Sequence, residues 1–142
     1  MSVVDYQVHE QIGIIWINNP PVNALSSELR NGIHQAVLNA QSDATKALLL
    51  ICKGRTFIAG ADISEFDKPA TKPSFNDILG TIESSSKPVI AAIHGTALGG
   101  GLETALACHY RCAVGSAMVG LPEVKLGLLP GAGGTQRVPR LI

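Results

Sequence analysis

The 142-residue sequence has no excess of charge of either sign, because 11 lysines and arginines balance 11 aspartates and glutamates. Proteins that bind nucleic acid carry surplus lysine and arginine, which displace counterions from phosphates. Proteins that bind an anionic membrane surface through a polybasic patch need the same surplus. The balance argues against both classes, so we expect neither nucleic acid nor a membrane as a partner.

Long apolar runs, a secretory signal and paired cysteines are also missing. The longest apolar runs, 47–52 and 89–93, fall short of the roughly 18 residues that a membrane-spanning helix needs. Residues 1–10 contain no basic region followed by an apolar block, so we expect no secretory signal. The three cysteines are an odd number, which favours reduced thiols in a cytoplasmic protein over a disulfide framework.

The first 40 residues predict a hairpin followed by a helix. Residues 3–8 and 12–17 are rich in β-branched side chains, which is typical of paired strands. Ser26 and Ser27 are candidate N-caps, because a serine hydroxyl accepts hydrogen bonds from the first helical N–H groups. Apolar residues then recur at intervals of about four, which gives the helix one apolar face. That face consists of Leu29, Ile33, Val37 and Ala40.

The rest of the chain continues this alternation of strands and helices. Residues 47–52 and 89–93 are uninterrupted apolar runs, which suit central strands covered on both faces. We also predict a polar loop at 53–62, helices near 75–82, 102–108 and from 135 onward, and short strands at 111–114 and 117–119. Because strands often come in pairs between helices, the pattern predicts an α/β domain built of β-β-α units.

Three glycine-containing segments follow apolar strands, which is where α/β proteins commonly place their sites. They span residues 57–63, 94–103 and 121–137. In the second segment, three consecutive glycines at 99–101 precede a predicted helix. Glycine lets the backbone approach a ligand closely, and the free N–H groups of a helix N-terminus can hold an anion or a developing oxyanion. Glu103 falls in the first turn of that helix.

Each of these features has a plainer interpretation. The glycines of the second segment permit tight helix–sheet packing, and Glu103 is then a surface residue matched to the helix dipole. A lone glutamate after a proline, as at Glu123, is typical of a solvated turn, and the glycines at 131–134 are typical of a turn before a helix. Asp62 is most simply the N-cap of a short helix at 63–66 rather than a catalytic carboxylate.

Three other chemistries have little support. The second segment lacks the Gly-x-Gly-x-x-Gly spacing of a dinucleotide site and the Gly-Lys-Ser/Thr ending of a nucleotide P-loop. No Gly-x-Ser-x-Gly elbow of a serine hydrolase is present. Cys108, His109 and Cys112 superficially suggest a zinc site. No second ligand pair lies at zinc spacing, so we interpret these cysteines as core thiols and expect no metal.

Taken together, in order and spacing, the three segments resemble the signature of the crotonase (enoyl-CoA hydratase/isomerase) superfamily. The matching text is Phe57-x-Ala-Gly-Ala-Asp-Ile63, Gly95-x-Ala-Leu-Gly-Gly-Gly-x-Glu103 and Pro122-Glu123-x3-Gly127-x2-Pro130-Gly-x-Gly-Gly-Thr135. The resemblance spans residues 8–137. Residues 19–25 further resemble the hydratase part of bifunctional enoyl-CoA hydratase/3-hydroxyacyl-CoA dehydrogenases.

The resemblance implies a crotonase-like superhelix of β-β-α turns and an acyl-CoA thioester substrate. The thioester oxygen would lie in an oxyanion hole between the backbone N–H groups of Ala61 and Gly100. Glu103 and Glu123 match the family's catalytic pair. The Glu123 equivalent is assigned proton transfer at C2, and the Glu103 equivalent orients and activates a water. Having both glutamates favours an enoyl-CoA hydratase, a lyase of fatty-acid β-oxidation that adds water across the C2–C3 double bond of trans-2-enoyl-CoA.

The resemblance also implies further contacts with the substrate. The Gly131 backbone would lie near the water. Ala24 and the Ala59 backbone would lie along the adenine and pantetheine path, with Arg55 near the CoA phosphates. The remaining expected substrate contacts are Gly60, Ile63 and Gly99. Coenzyme A is part of the substrate, so we expect no separate cofactor.

Length is where the sequence departs from the family, whose single-function members are considerably longer. We therefore expect residues 1–142 to be the N-terminal part of a crotonase-like domain, truncated before the C-terminal helices. A homotrimer is the family's habit, and a bifunctional parent would add a dehydrogenase domain. Two alternative functions stay open: an enoyl-CoA isomerase, and a non-catalytic fragment that binds acyl-CoA weakly or only self-associates.

Overall fold

The computed structural model describes all 142 residues, which make four successive β-β-α turns. The strands are β1 Val4–His9, β2 Ile12–Ile17, β3 Ala47–Cys52, β4 Thr56–Ile58, β5 Val89–Ile93, β6 Thr96–Leu98, β7 Tyr110–Ala113 and β8 Val119–Gly120. The helices are α1 Ser27–Ala40, α2 Phe75–Glu83, α3 Gly100–Ala107 and α4 Gly134–Leu141, with 3-10 turns at Ile63–Glu65 and Pro122–Leu126. The predicted α/β architecture of repeated β-β-α units is confirmed.

The larger of two sheets has five strands in the order β1-β2-β3-β5-β7. β1 pairs antiparallel with β2, which confirms the predicted hairpin, and every later pair is parallel. In the central strand β3, Leu48 and Leu50 are buried, whereas Leu49 and Ile51 are only half-buried. The second face of this strand is therefore less covered than its unbroken apolar sequence predicts.

The second sheet contains three parallel strands, β4, β6 and β8. The loop predicted at 53–62 is interrupted by β4, in which Phe57 and Ile58 are fully buried, so the prediction is wrong for residues 56–58. Strands of two or three residues are too short to show an alternating pattern in the sequence. From the second turn onward, each turn gives its first strand to the larger sheet and its second strand to this smaller one. The carboxyl ends of three strands from successive turns therefore meet at one edge.

The predicted helices are confirmed, with shifts at their ends. The hydroxyl of Ser26 accepts a hydrogen bond from the Leu29 N–H (3.2 Å), and the predicted apolar face of α1 is buried. Asp62 caps its 3-10 turn as predicted. α3 begins at Gly100, two residues earlier than predicted, because the glycine run itself enters the first turn. The strand predicted at 117–119 lies instead at Val119–Gly120.

The helices and the cysteines bear on two predictions, that the chain has no membrane-spanning helix and that its cysteines are core thiols. None of the four helices is both long and apolar enough to cross a membrane. Cys52 and Cys108 are buried free thiols, and burial raises the pKa of the Cys108 thiol to about 12. Cys112 is exposed, so its interpretation as a core thiol is wrong. It lies on β7, an edge strand with no neighbouring strand on one side.

Candidate active site

The cavity that holds most of the predicted site residues has a volume of about 450 Å³. It opens where β4, β6 and β8 end, and the three glycine-containing segments include or directly follow these strand ends. Nine predicted residues line it: Ala59, Gly60, Ala61, Ile63, Gly99, Gly100, Glu103, Glu123 and Gly131. The structure thus brings together segments that lie far apart in the sequence.

Two residues expected near coenzyme A are not part of this lining. The carbonyl of Ala24 accepts hydrogen bonds from the Asn19 side chain (2.8 Å) and the Ser26 N–H (2.8 Å). Arg55 is exposed in the turn before β4. Contacts of either residue with a ligand would have to lie outside the cavity.

Two backbone N–H groups in the lining have no acceptor within the chain. Ala61 pairs with Leu25 in an isolated parallel bridge. That bridge uses the Leu25 N–H to the Gly60 carbonyl (2.9 Å) and the Asp62 N–H to the Leu25 carbonyl (3.4 Å), so the Ala61 N–H is left unpaired. Gly100 begins α3, and the first N–H groups of a helix have no acceptor within it.

Gly99 lets the second segment approach Glu123 closely. Its φ is +51°, and a Cβ atom there would lie 2.9 Å from Oε1 of Glu123. The Gly99 N–H donates to the carbonyl of Gly120 at the end of β8 (2.9 Å), and its own carbonyl accepts from the Glu103 N–H (2.9 Å). Because any side chain would meet both a strained backbone angle and the carboxylate, this position requires glycine.

Glu103 is buried, so its interpretation as a surface residue is wrong. Only 3% of its surface is exposed. Its Oε1 accepts hydrogen bonds from the backbone N–H groups of Ala132 (3.0 Å) and Gly134 (2.9 Å), which belong to the third glycine segment. These two donors fix the orientation of the carboxylate, and no hydrogen bond within the chain engages Oε2.

Burial raises the pKa of Glu103 above its ordinary value, because a carboxylate loses hydration inside the protein. The negative charge of Glu123 acts in the same direction. The N–H groups of Gly134 and Ala132 oppose the shift, as does the positive charge of Arg137. The proton affinity of Glu103 thus depends on its burial and on groups that all lie in the third glycine-containing segment.

Glu123 lies in the 3-10 turn Pro122–Leu126 and lines the cavity. Its side chain is partly buried, and Oε2 is fully buried with no hydrogen-bond partner. The interpretation of Glu123 as a solvated turn residue is therefore wrong. A buried acceptor without a partner costs about 1–3 kcal/mol, so the Glu123 carboxylate is held beside the cavity at a cost in stability.

The cavity also has an apolar wall that sequence reasoning missed. Phe66, Phe75, Leu126, Leu128 and Leu129 line it. Several of these side chains are unusually open for their type, since Leu129 is 77% exposed and Phe66 is 55% exposed. The sequence signal was the concentration of leucines in a glycine-rich and proline-rich segment, because an ordinary solvent-exposed turn is polar.

Glu65 ties the segment that carries Ala61 to the start of α1. Its carboxylate accepts the Ser27 N–H (2.9 and 3.0 Å), the Ser27 hydroxyl (3.0 Å) and Nη2 of Arg30 (3.2 Å). Nη1 of Arg30 donates to the carbonyl of Leu25 (2.9 Å), the bridge partner of Ala61. The hydrogen bond from the Ser27 N–H, followed by that from its hydroxyl and the charge of Arg30, holds the pKa of Glu65 below its usual range.

Replacing Glu65 by glutamine is expected to lower the free energy of unfolding by about 1–2 kcal/mol at neutral pH, because charge-assisted hydrogen bonds become neutral ones. The folded-state pKa is depressed, so the contribution exists above the unfolded-state value of about 4.3 and is lost as pH falls through the folded-state value. Urea unfolding at a series of pH values should show the two proteins converging in acid. Glu10→Gln, at an exposed position in the turn between β1 and β2, is the control. A pH-independent difference would contradict the assignment.

The fold and the site together define a crotonase-like α/β protein, with paired carboxylates beside unpartnered backbone donors. The chain belongs to the enoyl-CoA hydratase/isomerase family, whose sequence model matches residues 7–142. The resemblance seen in the three glycine-containing segments is therefore confirmed over nearly the whole chain.

Curated relatives and solved structures agree on this family. The chain is 53% identical over 137 residues to the peroxisomal bifunctional enzyme of Danio rerio, covering 95% of this chain and 19% of that protein. It is 42% identical over 150 residues to a probable enoyl-CoA hydratase of Bacillus subtilis, covering all of this chain and 58% of that protein. The solved enoyl-CoA hydratase of Bacillus anthracis superposes with a TM-score of 0.91 at 35% identity, covering 99% of this chain and 58% of that one. The chain thus spans only part of the length of these relatives.

Proposed function

We propose that the chain carries the acid–base and oxyanion groups of an enoyl-CoA hydratase acting on trans-2-enoyl-CoA in fatty-acid β-oxidation. The observation that supports this most is the convergence of Glu103, Glu123 and the unpaired N–H groups of Ala61 and Gly100 on one cavity. Water addition to a conjugated thioester needs a base, an acid and stabilisation of the thioester oxygen. All three requirements have a candidate group here.

In the proposed reaction the thioester oxygen accepts hydrogen bonds from the N–H groups of Ala61 and Gly100. A water oxygen bonds to C3, the C2–C3 π electrons shift toward the carbonyl, and an enolate forms. The two donors stabilise the negative charge that develops on its oxygen, and one such donor is typically worth about 3–4 kcal/mol in the transition state. C2 then takes a proton, which completes the 3-hydroxyacyl thioester.

The two glutamates take different parts in these proton transfers. Glu103, oriented through Oε1 by two backbone donors, takes the proton that the attacking water loses. Burial raises the pKa of Glu103 and favours that step, because a carboxylate that holds its proton more strongly is a stronger base. Glu123, which lines the cavity, delivers the proton to C2. A proton passing from Glu103 to Glu123 restores the starting state.

The rest of the proposed substrate site follows the same cavity. Gly131 lies near the water, and Gly60, Ile63 and Gly99 contact the thioester region. The Ala59 backbone contacts pantetheine, while Ala24 and Arg55, outside the cavity, meet the adenine and phosphates of coenzyme A. The apolar wall receives the acyl chain, since extended hydrocarbon gains about 0.8 kcal/mol for each CH₂ that is buried. The reaction needs neither a metal nor a separate cofactor.

Loss of the conjugated absorbance of crotonyl-CoA, followed with the purified chain, tests the proposal. We expect absorbance loss with crotonyl-CoA and formation of 3-hydroxybutyryl-CoA. A 3-enoyl-CoA is the comparison substrate, and conversion of it without hydration of crotonyl-CoA would show an isomerase instead. Binding of crotonyl-CoA without turnover of either substrate would support a non-catalytic role.

The wider setting of the chain is part of the same proposal. We propose that residues 1–142 form the N-terminal part of a crotonase-like domain that assembles as a homotrimer. The bifunctional relatives favour a parent that also carries a dehydrogenase domain. The three free thiols support a reducing compartment, proposed as the cytoplasm. Light scattering gives the subunit number, and imaging of a tagged chain separates cytoplasm from peroxisome.

A further inference from the structure

Arg137, on α4, connects three parts of the fold. Its Nε donates to Oε1 of Glu83 at the end of α2 (2.8 Å), and its Nη2 forms an ion pair with the same oxygen (2.8 Å). Its Nη1 donates to the carbonyl of Ala132 (2.9 Å). The guanidinium lies against Gly133, whose φ is +86°, and a Cβ atom there would overlap Nη1. The glycine thus admits the arginine into the turn at 132–134.

The same turn supplies the two donors that orient Glu103. The carbonyl of Ala132 is bound by Arg137, and the N–H of Ala132 is bound by Oε1 of Glu103. The second donor, the Gly134 N–H, comes one residue after the glycine that packs under the guanidinium. Fixing this turn from the Arg137 side therefore fixes both hydrogen bonds that hold the Glu103 carboxylate.

We propose that Arg137, anchored by Glu83, is a positioning residue that sets the orientation of the Glu103 carboxylate through the turn at 132–134. Its part in catalysis depends on the hydratase function proposed above, whereas its effect on Glu103 does not. Arg137 need not touch the substrate for this role, and it is absent from the cavity lining. Glu83, on a different helix, supplies the fixed point from which the guanidinium reaches the turn.

Electrostatics supports the same connection. Burial and the charge of Glu123 raise the pKa of Glu103, and the positive charge of Arg137 opposes them. These are the charged groups that act on Glu103 from the neighbouring elements, with Glu83 acting through Arg137. Loss of the guanidinium is expected to raise the pKa of Glu103 further, so the acid limb of kcat/KM should move to higher pH.

The alternative is that Arg137 only joins α2 to α4, without effect on Glu103. The variants Arg137→Gln and Glu83→Gln separate the two roles. Arg140→Gln is the matched control, because Arg140 lies on the same helix and the hydrogen bonds of its guanidinium go to Gln136. Glu83→Gln keeps Arg137 but removes the charge of its ion-pair partner. This variant replaces Arg137→Gln in the test if Arg137→Gln does not fold.

The test is NMR of the ¹⁵N- and ¹³C-glutamate-labelled chain, with Glu103→Gln used to assign the Glu103 carboxyl signal. In Arg137→Gln we expect upfield shifts of the Ala132 and Gly134 amide protons and titration of Glu103 at higher pH. Glu83→Gln should show smaller upfield shifts of the same two amide protons, and Arg140→Gln should show none. Unchanged amide signals and an unchanged Glu103 titration in Arg137→Gln, or in Glu83→Gln if the former is unfolded, would overturn the proposal.

Kinetics adds the functional half of the test. With crotonyl-CoA, we expect Arg137→Gln to lower kcat by about 10- to 100-fold with KM little changed, because a small displacement of a catalytic group has effects of this size. If the unaltered chain hydrates nothing, the hydratase function fails while the NMR measurements still decide the role of Arg137. Normal kcat alongside altered NMR signals would overturn the catalytic part of the proposal.

Discussion

Glu123→Gln is expected to lower kcat for the hydration of crotonyl-CoA by about 10²- to 10⁴-fold, or roughly 3–5 kcal/mol in barrier height. Glutamine has nearly the same shape as glutamate but transfers no proton at neutral pH. Because Glu123 is only partly buried and Oε2 has no partner in the chain, the exchange breaks no hydrogen bond of that oxygen. The fold and the binding of substrate should therefore survive while proton transfer to C2 is lost.

Three measurements make this loss interpretable. KM and the thermal unfolding midpoint should stay close to those of the unaltered chain. Solvent deuterium should enter C2 of the product much more slowly in the variant. Glu10→Gln removes an exposed carboxylate from the turn between β1 and β2 and should leave all of these quantities unchanged. Retention of kcat within about tenfold in Glu123→Gln would remove Glu123 from proton transfer and with it the proposed mechanism.

Gly101→Ala is expected to lower the free energy of unfolding by about 1–3 kcal/mol and to reduce activity as well. A methyl group at this position would overlap the carbonyl oxygen of Ile58 and approach its carbonyl carbon to 2.7 Å. Alanine favours a helix by about 1 kcal/mol over glycine, so the clash has to outweigh that gain. The contact atom is backbone, so it can yield only if α3 moves away from β4.

The expected loss of activity follows from where these two elements lead. β4 runs directly into the segment that carries the Ala61 N–H, and α3 begins with the Gly100 N–H. Separating α3 from β4 spreads the two donors that a single thioester oxygen has to reach. Chemical denaturation and crotonyl-CoA kinetics measure the two effects on the same protein.

Gly80→Ala is the matched control for this substitution. Gly80 lies on the exposed side of α2, and nothing comes within 4 Å of a Cβ atom built there. The same chemical change is therefore expected to stabilise the chain by about 0.5–1 kcal/mol without altering kcat. If Gly101→Ala also stabilised the chain and left kcat unaltered, the close packing of α3 against β4 would contribute nothing to stability or activity.

Much of this fold was readable from the sequence because its signals are local. The hairpin, the cap at Ser26 and the apolar face of α1 depend on residue spacing within one element, and all three predictions are confirmed. The second sheet was missed because β4, β6 and β8 have only two or three residues each, and their pairing joins separate turns. Non-local pairing of such short segments leaves no periodic pattern in the sequence.

The candidate site divides in the same way. The glycine-containing segments and both glutamates were found from motif order, and the structure brings them to one cavity. The burial of Glu103 was not predictable, because its hydrogen-bond donors lie about 30 residues away in a turn with no polar side chain to reveal them. The role of Arg137 was hidden for a similar reason, since its partner Glu83 and the Ala132 carbonyl carry no motif.

Because successive turns share one cavity, the residues of the site are synthesised one turn after another. The second turn supplies Ala61, the third supplies Gly100 and Glu103, and the fourth supplies Glu123. Residues leave the ribosome in that order. A nascent chain that ends before β8 holds both backbone donors but neither Glu123 nor the turn that orients Glu103. The groups proposed for catalysis are therefore complete only after the fourth turn has been synthesised.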